Sequence, residues 1–305
     1  MSQVAGATRS AAGQRVKSLR IDWMLVLGAA ILIAAGLMAL YSEGIDKPGG
    51  SVFPKQLFNI VLGAVPFSFF LLVHPKLLQR QATAIYIVNI VLLLLVLVAG
   101  KHEMGAQRWV SFGPIRFEPS EVAKLLTVFT LASFFAMRQE SIAKFSTFAL
   151  SFAHVLAPML LIAKQPHLGA TLVLMAIWLS VCVAAGVPIR YVFGFIGVFL
   201  ALFALVWETP GVLKEYQKDR VIGLLNPTDK DKGYQALRSQ IAFGEGGVSG
   251  EGFKRGEQKM ARFIPEQHND FIFTVVGEEG GLIGCTLILI AYGFFFFRVW
   301  LVMFE

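Results

Sequence analysis

Charged residues are scarce in this 305-residue sequence. Asp, Glu, Lys and Arg make up 15% of it, whereas a typical soluble domain has about 25%. Apolar residues make up 56%, the mean hydropathy is +0.65, and the few charges occur in short stretches between apolar runs. A soluble core could not bury so much apolar surface. The composition therefore excludes a soluble globular protein and indicates a membrane protein.

Cysteine is equally scarce, since the chain has only Cys182 and Cys285, and both lie within apolar runs. A free cysteine in such a run behaves as a small hydrophobe, so we expect neither a disulfide nor a cysteine metal site. A dense basic stripe is also absent, although the formal net charge is +7. The basic residues are scattered along short connectors, which argues against a nucleic-acid partner.

Long apolar runs recur along the whole chain. A bilayer core about 30 Å thick needs about 20 apolar residues per helix. The runs predict eight transmembrane helices, and hence an all-α polytopic membrane bundle. The predicted spans are 22–42, 57–74, 83–99, 120–137, 147–163, 168–187, 191–207 and 271–297.

Basic residues precede the first apolar run, at Arg9, Arg15, Lys17 and Arg20. Positive charge beside a first span favours a cytoplasmic N-terminus. The run itself is too long for the core of a cleavable signal peptide, so we interpret it as a retained span.

Two connectors are too long to serve only as links, namely residues 100–119 and 208–270. Long loops of this kind usually carry function. With the N-terminus inside, both lie outside the cytoplasm. We therefore expect a single membrane domain over 1–305, with 208–270 as its large extracytoplasmic loop.

Ionisable residues within spans are costly and indicate functional sites. Glu121 and Lys124 stand at i and i+3, on one helix face where they can pair. A structural ion pair near the membrane surface is the equally good alternative. Glu278 and Glu279 are adjacent and cannot share one face. Glycine-mediated helix packing, with the acids paired to Lys or Arg, is the structural explanation for at least one of them.

The stretch Phe263–Phe273 leads the long loop into the eighth predicted span, and it gathers Glu266, His268 and Asp270. Two carboxylates and an imidazole at a membrane surface suit catalysis or binding. The structural alternative makes Asp270 the N-cap of the helix and the other two solvated loop residues.

The glycine-rich segment Phe243–Gly252 could cradle a phosphate, but it lacks the Lys-Ser/Thr ending of a P-loop. We interpret it as a flexible loop, beside which four basic residues could attract an anionic head group, namely Lys254, Arg255, Lys259 and Arg262. Gln165 and His167 lie at another predicted outside turn, where a helix start explains them equally well.

Four blocks of sequence, taken together, resemble the SEDS family of peptidoglycan glycosyltransferases, RodA and FtsW. The resemblance covers essentially the whole chain, and its last block is the most specific. It implies a polytopic polymerase that joins lipid II units into glycan strands at the outer face of the bacterial cytoplasmic membrane. The blocks are Arg108–Pro114 with Pro119–Lys124, Gln165–Gly169, Asn226–Gln235 with Ser239 and the glycine run, and Pro265–Phe273 with Glu278–Glu279.

The resemblance also implies roles for individual residues. Asp270 aligns with the aspartate that the family requires, and is expected to act as general base or metal ligand. Lys124, oriented by Glu121, would stabilise the leaving diphosphate, and a divalent cation such as Mg²⁺ is the other possible source of positive charge. The expected substrate-binding residues are Trp109, Arg108, His268, Glu266 and Gln165.

This sequence departs from the family pattern in two places. His167 stands where the family commonly has aspartate, and eight predicted spans stand where the family usually has ten, so we expect a C-terminally incomplete domain. A short N-terminal extension and the pattern Gly244–Gly247 favour RodA, and thus cell elongation and shape maintenance, over FtsW and division. The implied partners are a class B penicillin-binding protein, other proteins of the elongation or division complex, and membrane lipid.

Two other functions remain open from the sequence. A flippase for lipid-linked precursors would also need many spans and buried charges, but its site is expected near the midplane of the membrane. A non-catalytic membrane scaffold of the elongation or division machinery predicts that substitution of Asp270 has no effect on wall synthesis.

Overall fold

The computed structural model describes residues 22–44, 52–103, 106–112, 115–165, 168–209, 218, 234–261, 263–264 and 267–304. Helices dominate these residues. The helices are α1 (Trp23–Glu43), α2 (Phe53–Leu72), α3 (Pro75–Arg80), α4 (Ala82–Ala99), α5 (Pro119–Ala136), α6 (Phe145–Lys164), α7 (Leu168–Ala185), α8 (Ile189–Glu208), α9 (Tyr234–Gly246), α10 (Glu257–Ala261), α11 (Gln267–Asp270) and α12 (Ile272–Phe304).

The membrane-length helices match the predicted spans. Within the described residues, six helices are long and apolar enough to cross a membrane, namely α1, α2, α5, α6, α8 and α12. The helices α4 and α7 contain slightly shorter apolar stretches, at 82–98 and 169–185. The predicted all-α polytopic membrane bundle is therefore confirmed.

The long connector after α4 contains a small sheet that the all-α prediction did not include. Strands β1 (Lys101–Glu103), β2 (Ala106–Phe112) and β3 (Ile115–Phe117) pair antiparallel in the order β1-β2-β3. Val110 pairs with Phe117. β-Branched and aromatic residues of this kind favour strands, a local preference that is separate from the length of an apolar run.

The chain forms two compact units. The first comprises the described residues of 1–66 and 214–305, and the second comprises Phe67–Leu213. In the second unit, polar side chains join helices within an apolar core. The buried Trp178 Nε1 donates to Ser151 Oγ at 3.0 Å, and Asn89 Nδ2 donates to Thr127 Oγ1 at 3.1 Å. Such bonds hold membrane helices together where no hydrophobic force drives their association.

In the first unit, α1 and α12 pack antiparallel, with a polar contact near each end. Asp22 caps α1 by accepting from the Leu25 N–H at 2.9 Å, and it pairs with Arg298 of α12. At the other end, Ser42 Oγ donates to Glu279 Oε1 at 2.5 Å. Ser42 lies twenty positions after Asp22, a rise of about 30 Å along a helix, which is the thickness of a bilayer core. The two contacts therefore lie near opposite membrane surfaces.

Helix α12 is interrupted at Gly281, whereas the sequence predicted a continuous span. Gly281 has φ 59° and ψ −159°, a conformation that residues with a Cβ rarely adopt. After the break, the Leu282 N–H donates to Gly247 O at 2.9 Å and the Ile283 N–H donates to Val248 O at 3.1 Å. These donors would otherwise lack partners, because a straight helix would pair them with the carbonyls four residues earlier.

The carbonyls freed by the same break are also satisfied. Glu278 O accepts from the Glu251 N–H at 3.0 Å, and Glu279 O accepts from the Gly252 N–H at 3.1 Å. The segment 247–252 therefore replaces two missing helical hydrogen bonds with four bonds of its own. Our interpretation of the glycine-rich segment as a flexible loop was wrong, because its first residues end α9 and the rest pairs with α12.

Candidate functional site

Asp270 is the last residue of α11, separated from α12 by Phe271 alone, and its side chain is exposed. A side-chain hydrogen bond joins α11 to α12, since the buried Gln267 Nε2 donates to Thr274 Oγ1 at 2.9 Å. Thr274 Oγ1 in turn donates to Phe271 O at 2.7 Å. Asp270 is thus not the N-cap of α12. Its carboxylate accepts no hydrogen bond within the described part of the chain.

His268 lies half-buried on the same short helix as Asp270. Glu266, the third member of the predicted cluster, lies outside the described residues. His268 and Asp270 therefore lie on the same short helix, and their roles in binding and catalysis stay predictions.

Three buried polar side chains meet, one each from α10, α12 and α1. The Lys259 ammonium of α10 forms an ion pair with the Glu279 carboxylate of α12 and donates to Ser42 Oγ of α1 at 2.9 Å. Their exposed fractions are 8%, 9% and 2%, in that order. The expectation that one of the two adjacent glutamates pairs with a basic residue is confirmed for Glu279. From the sequence, Lys259 was only one of four neighbouring basic residues that could attract an anionic head group, whereas in the structure its ammonium is buried and paired with Glu279.

The adjacent Glu278 has a different environment. It is fully buried, and its Oε1 accepts from the Gln258 N–H at 2.5 Å. Gly256 lies against its carboxylate, and a Cβ on Gly256 would come within 2.5 Å of Glu278 Cδ. Glu278 therefore holds the start of α10 through a backbone hydrogen bond, whereas Glu279 holds it through an ion pair.

In the second unit, the predicted pairing of Glu121 with Lys124 is confirmed. Lys124 Nζ lies 2.8 Å from Glu121 Oε2, near the start of α5. Pro119 begins this helix, a position that suits proline, and Glu121 stands in its first turn, where the helix dipole favours a negative charge. The Glu121 side chain is 57% exposed and that of Lys124 is 20% exposed. The cation is thus held near a helix start, partly accessible to a ligand.

The other predicted binding residues of this unit differ in setting. Trp109 lies half-buried in β2, and the Arg108 side chain lies outside the described part. Gln165 is only 1% exposed, and its Nε2 donates to Leu93 O at 3.3 Å, so it joins the end of α6 to α4. Its substrate-binding role stays a prediction. His167 falls outside the described residues.

The predicted site residues are thus divided between the units, with Asp270 and His268 in the first, and Lys124, Glu121, Trp109 and Gln165 in the second. Among the described residues, no three His, Cys, Asp or Glu side chains are grouped so that they could hold a metal ion. The expectation of a divalent cation such as Mg²⁺ stays a prediction.

These features define a multi-pass α-helical membrane protein with a carboxylate exposed at the entrance to a broken membrane helix. A sequence profile of the FtsW/RodA/SpoVE family, described as cell cycle protein, matches residues 17–305. The chain belongs to this family.

Curated relatives and solved structures agree with this assignment. The chain is 31% identical over 271 residues to the peptidoglycan glycosyltransferase MrdB of Escherichia coli K12, over 88% of this chain and 72% of MrdB. It is 31% identical over 292 residues to the probable peptidoglycan glycosyltransferase FtsW of Saccharophagus degradans, over 92% of this chain and 74% of that protein.

Two solved structures share the fold. One is a chain of a peptidoglycan synthase complex that coordinates polymerization and crosslinking, with a TM-score of 0.72 and 29% identity, over 92% of this chain and 77% of that chain. The other is the rod shape determining protein RodA of Thermus thermophilus, with a TM-score of 0.63 and 26% identity, over 92% of this chain and 74% of that chain.

Proposed function

We propose that this protein is a peptidoglycan glycosyltransferase that polymerises lipid II into glycan strands during cell elongation and shape maintenance. The structural observation that carries the proposal is the exposed carboxylate of Asp270 just before α12. The short helix that carries it is joined to α12 by the hydrogen bond from Gln267. The match to the FtsW/RodA/SpoVE family and the glycosyltransferase names of the relatives support it.

In the proposed reaction, a sugar hydroxyl of one substrate attacks the anomeric carbon of the sugar on another. The new glycosidic bond forms as the bond between that carbon and the lipid diphosphate breaks. The hydroxyl proton passes to the Asp270 carboxylate, and the diphosphate leaves with the bonding electron pair. An exposed carboxylate with no hydrogen bond from the described residues suits this role, because no partner competes for its lone pairs.

The leaving diphosphate gains negative charge and needs a cation. Lys124 is the proposed cation, with Arg108 as a second and Glu121 as the residue that orients Lys124. The ion pair at 2.8 Å supports this role, because it holds the ammonium near the start of α5 while leaving it partly exposed. Trp109, His268, Glu266 and Gln165 are the proposed substrate-binding residues.

The proposed location is the bacterial cytoplasmic membrane, with the N-terminus in the cytoplasm. The basic residues before α1 support this orientation. α1 then runs outward, so Ser42, and with it the Glu279 end of α12, lies at the outer membrane surface. Asp270 precedes Glu279 by nine residues on that side, where the lipid-linked sugars of a growing wall would be accessible.

We further propose a class B penicillin-binding protein as the partner, together with other proteins of the elongation or division complex. The structural relative from a complex that coordinates polymerization and crosslinking supports a crosslinking partner. A RodA role is retained over an FtsW role because of the pattern Gly244–Gly247.

Polymerisation of purified lipid II tests the function, with the protein bound to its cognate penicillin-binding protein, whose own chemistry has been disabled. Replacing a general base costs about 100-fold or more in rate, so Asp270→Asn is expected to lose polymer formation to that extent. Asp22→Asn is the matched control, since it makes the same change at the opposite end of α12's contact with α1, and its rate should stay within about twofold.

An Asp270→Asn protein that polymerises lipid II at the wild-type rate would contradict the proposal. A folded wild-type complex that makes no polymer but moves lipid II across vesicle membranes would instead support the flippase. A complex that does neither, and whose Asp270→Asn form still supports wall synthesis in cells, would support the scaffold.

A further inference from the structure

The buried contact among Lys259, Glu279 and Ser42 is not explained by stability alone. Burying an ion pair costs desolvation energy that the mutual attraction barely repays, and well-packed apolar residues are often as good or better. Both charged side chains here are less than a tenth exposed. A role in positioning is an alternative reason for charges at this position.

A second ion pair between the same two helices provides a comparison. Asp22 and Arg298 join the same two helices, α1 and α12, at their other ends, with side chains 17% and 20% exposed. That pair involves only the two membrane helices. The Lys259 pair differs because it joins a third element, the short helix α10, to the two membrane helices α1 and α12.

The segment from α10 to α11 is attached to α12 at both of its ends. At its start, Lys259 pairs with Glu279, one residue after the Gln258 N–H donates to Glu278. At its end, Gln267 donates to Thr274. The intervening Ile264 is 3% exposed. Both α10 and the first residue of α11 are therefore held to α12 before the chain reaches Asp270.

Asp270 itself makes none of these attachments, because its side chain is exposed and accepts no hydrogen bond within the described residues. The position of its carboxylate must therefore be set by the segment that carries it. Lys259 is the only charged member of α10 whose side chain is buried among the described residues of that helix.

We propose that the Lys259–Glu279 ion pair, closed by the Ser42 hydroxyl, positions Asp270 for catalysis. This inference rests on the proposed function, because it assigns these three residues the role of positioning the proposed general base. Lys259, Glu279 and Ser42 are positioning residues that do not touch substrate. An ion pair with a hydroxyl across it has a defined direction and length, whereas apolar contacts would let α10 slide along α12.

The test compares two doubly neutral variants. Lys259→Met combined with Glu279→Gln removes the positioning pair without leaving an unpaired buried charge, which would endanger folding. Asp22→Asn combined with Arg298→Met removes the matched pair at the other end of the same helices. Ser42→Ala is a milder third variant that keeps both charges. Each is assayed for lipid II polymerisation in the complete complex with the penicillin-binding protein, and for its thermal unfolding temperature.

A displacement of about 1 Å can cost about 100-fold in rate, so the Lys259/Glu279 variant is expected to lose about that much in kcat. KM for lipid II should change much less, because the pair contacts no substrate. Ser42→Ala should lose about tenfold in kcat, and the Asp22/Arg298 variant should keep its kcat within about twofold even where its unfolding temperature falls. Equal kcat in the two doubly neutral variants would overturn the proposal.

Hydrogen exchange gives a readout that does not depend on activity. In the Lys259/Glu279 variant, the amides of 267–271 should exchange about tenfold faster than in the wild type, because their attachment at α10 is lost. The Asp22/Arg298 variant should leave this exchange unchanged. Wild-type exchange at 267–271 in the Lys259/Glu279 variant would overturn the proposal.

The two proposals fail in different ways. If Asp270→Asn keeps full activity, the proposed function fails, whatever the exchange data show. If Asp270→Asn is inactive while the Lys259/Glu279 variant keeps the wild-type kcat, the function stands and only the positioning inference is overturned.

Discussion

Gly246 of α9 packs so closely against Gly277 of α12 that a Cβ on Gly246 would lie 2.0 Å from the carbonyl oxygen of Gly277. The close approach brings the end of α9 to the break in α12, where segment 247–252 satisfies the backbone of the broken helix. Two glycines thus permit the packing that holds the long loop to the helix following Asp270.

Gly246→Ala should destabilise the protein. The added methyl group would overlap backbone atoms, which cannot move as a flexible side chain could, and overpacking of this kind costs about 1–3 kcal/mol. We expect a loss of this size in the free energy of unfolding, measured by denaturation in detergent micelles.

Gly244→Ala is the matched control, since Gly244 lies in the same helix and a Cβ there meets nothing within 4 Å. In a helix this change stabilises by about 0.5–1 kcal/mol. Equal effects of the two alanines would show that α9 and α12 do not pack this closely.

Gly281→Ala should also destabilise the protein, and for a different reason. Its φ of 59° and ψ of −159° are unfavourable for alanine, and a Cβ would lie 2.4 Å from the Gly250 nitrogen. Strain at such a position costs about 1–3 kcal/mol. Besides the lower free energy of unfolding, hydrogen exchange should quicken at Leu282 and Ile283, whose N–H groups bond to the displaced segment.

The neighbouring Gly280 provides the comparison, because it has no positive φ and a Cβ there would meet nothing within 4 Å. Gly280→Ala should leave the amide exchange at Leu282 and Ile283 unchanged. If it quickened that exchange as much as Gly281→Ala does, the break would not be centred on Gly281.

The ion pair of Asp22 with Arg298 should make stability depend on pH in the acid range. The pKa of Asp22 is held below its ordinary value of 3.8, first by the hydrogen bond from the Leu25 N–H and then by Arg298. A lowered pKa in the folded state stabilises the protein above the ordinary value, and this contribution is lost as the pH falls through the folded-state pKa. The unfolding temperature of the wild type should therefore exceed that of Asp22→Asn at neutral pH.

Below pH 3.8 the difference between wild type and Asp22→Asn should shrink as Asp22 takes up its proton. Comparing the two proteins at each pH removes the contribution of the other carboxylates. A difference that stays constant down to the lowest pH at which both remain folded would contradict the ion pair with Arg298.

Features that depend on residues close together in the sequence were predictable. The spans followed from apolar runs, because a bilayer satisfies no backbone groups and forces such runs into helices. The pair of Glu121 with Lys124 followed from their spacing on one turn. Asp270 was recognisable because the sequence around it resembles a known family closely.

Long-range contacts were not predictable in this way. Ser42 donates a hydrogen bond to Glu279, 237 residues away, and no local pattern predicts the pair. The break at Gly281 was missed because its missing hydrogen bonds are replaced by a segment about 30 residues earlier, so the span looks continuous in hydropathy. The contacts of Lys259 join α1, α10 and α12, which are far apart in the sequence, so no local pattern predicts them.

The pair of Lys124 with Glu121 has two interpretations, a structural ion pair and a role in catalysis, and one variant can distinguish them. An exposed ion pair contributes at most about 1 kcal/mol to stability, so Lys124→Met should barely change the unfolding temperature. If Lys124 stabilises the leaving diphosphate, the same variant should lose about 100-fold in kcat for lipid II polymerisation. Glu121→Gln should lose less, about tenfold, because the more exposed Glu121 acts only by orienting the ammonium.

Lys144→Met is the matched control, since Lys144 is an exposed lysine at the start of α6, on a different connector of the same unit. It should polymerise lipid II at the wild-type rate. A Lys124→Met protein as active as Lys144→Met would establish the pair as a structural contact only. A loss confined to Lys124 and Glu121, at an unchanged unfolding temperature, would place the positive charge of α5 in the reaction, because no loss of folded protein could then account for the slower rate.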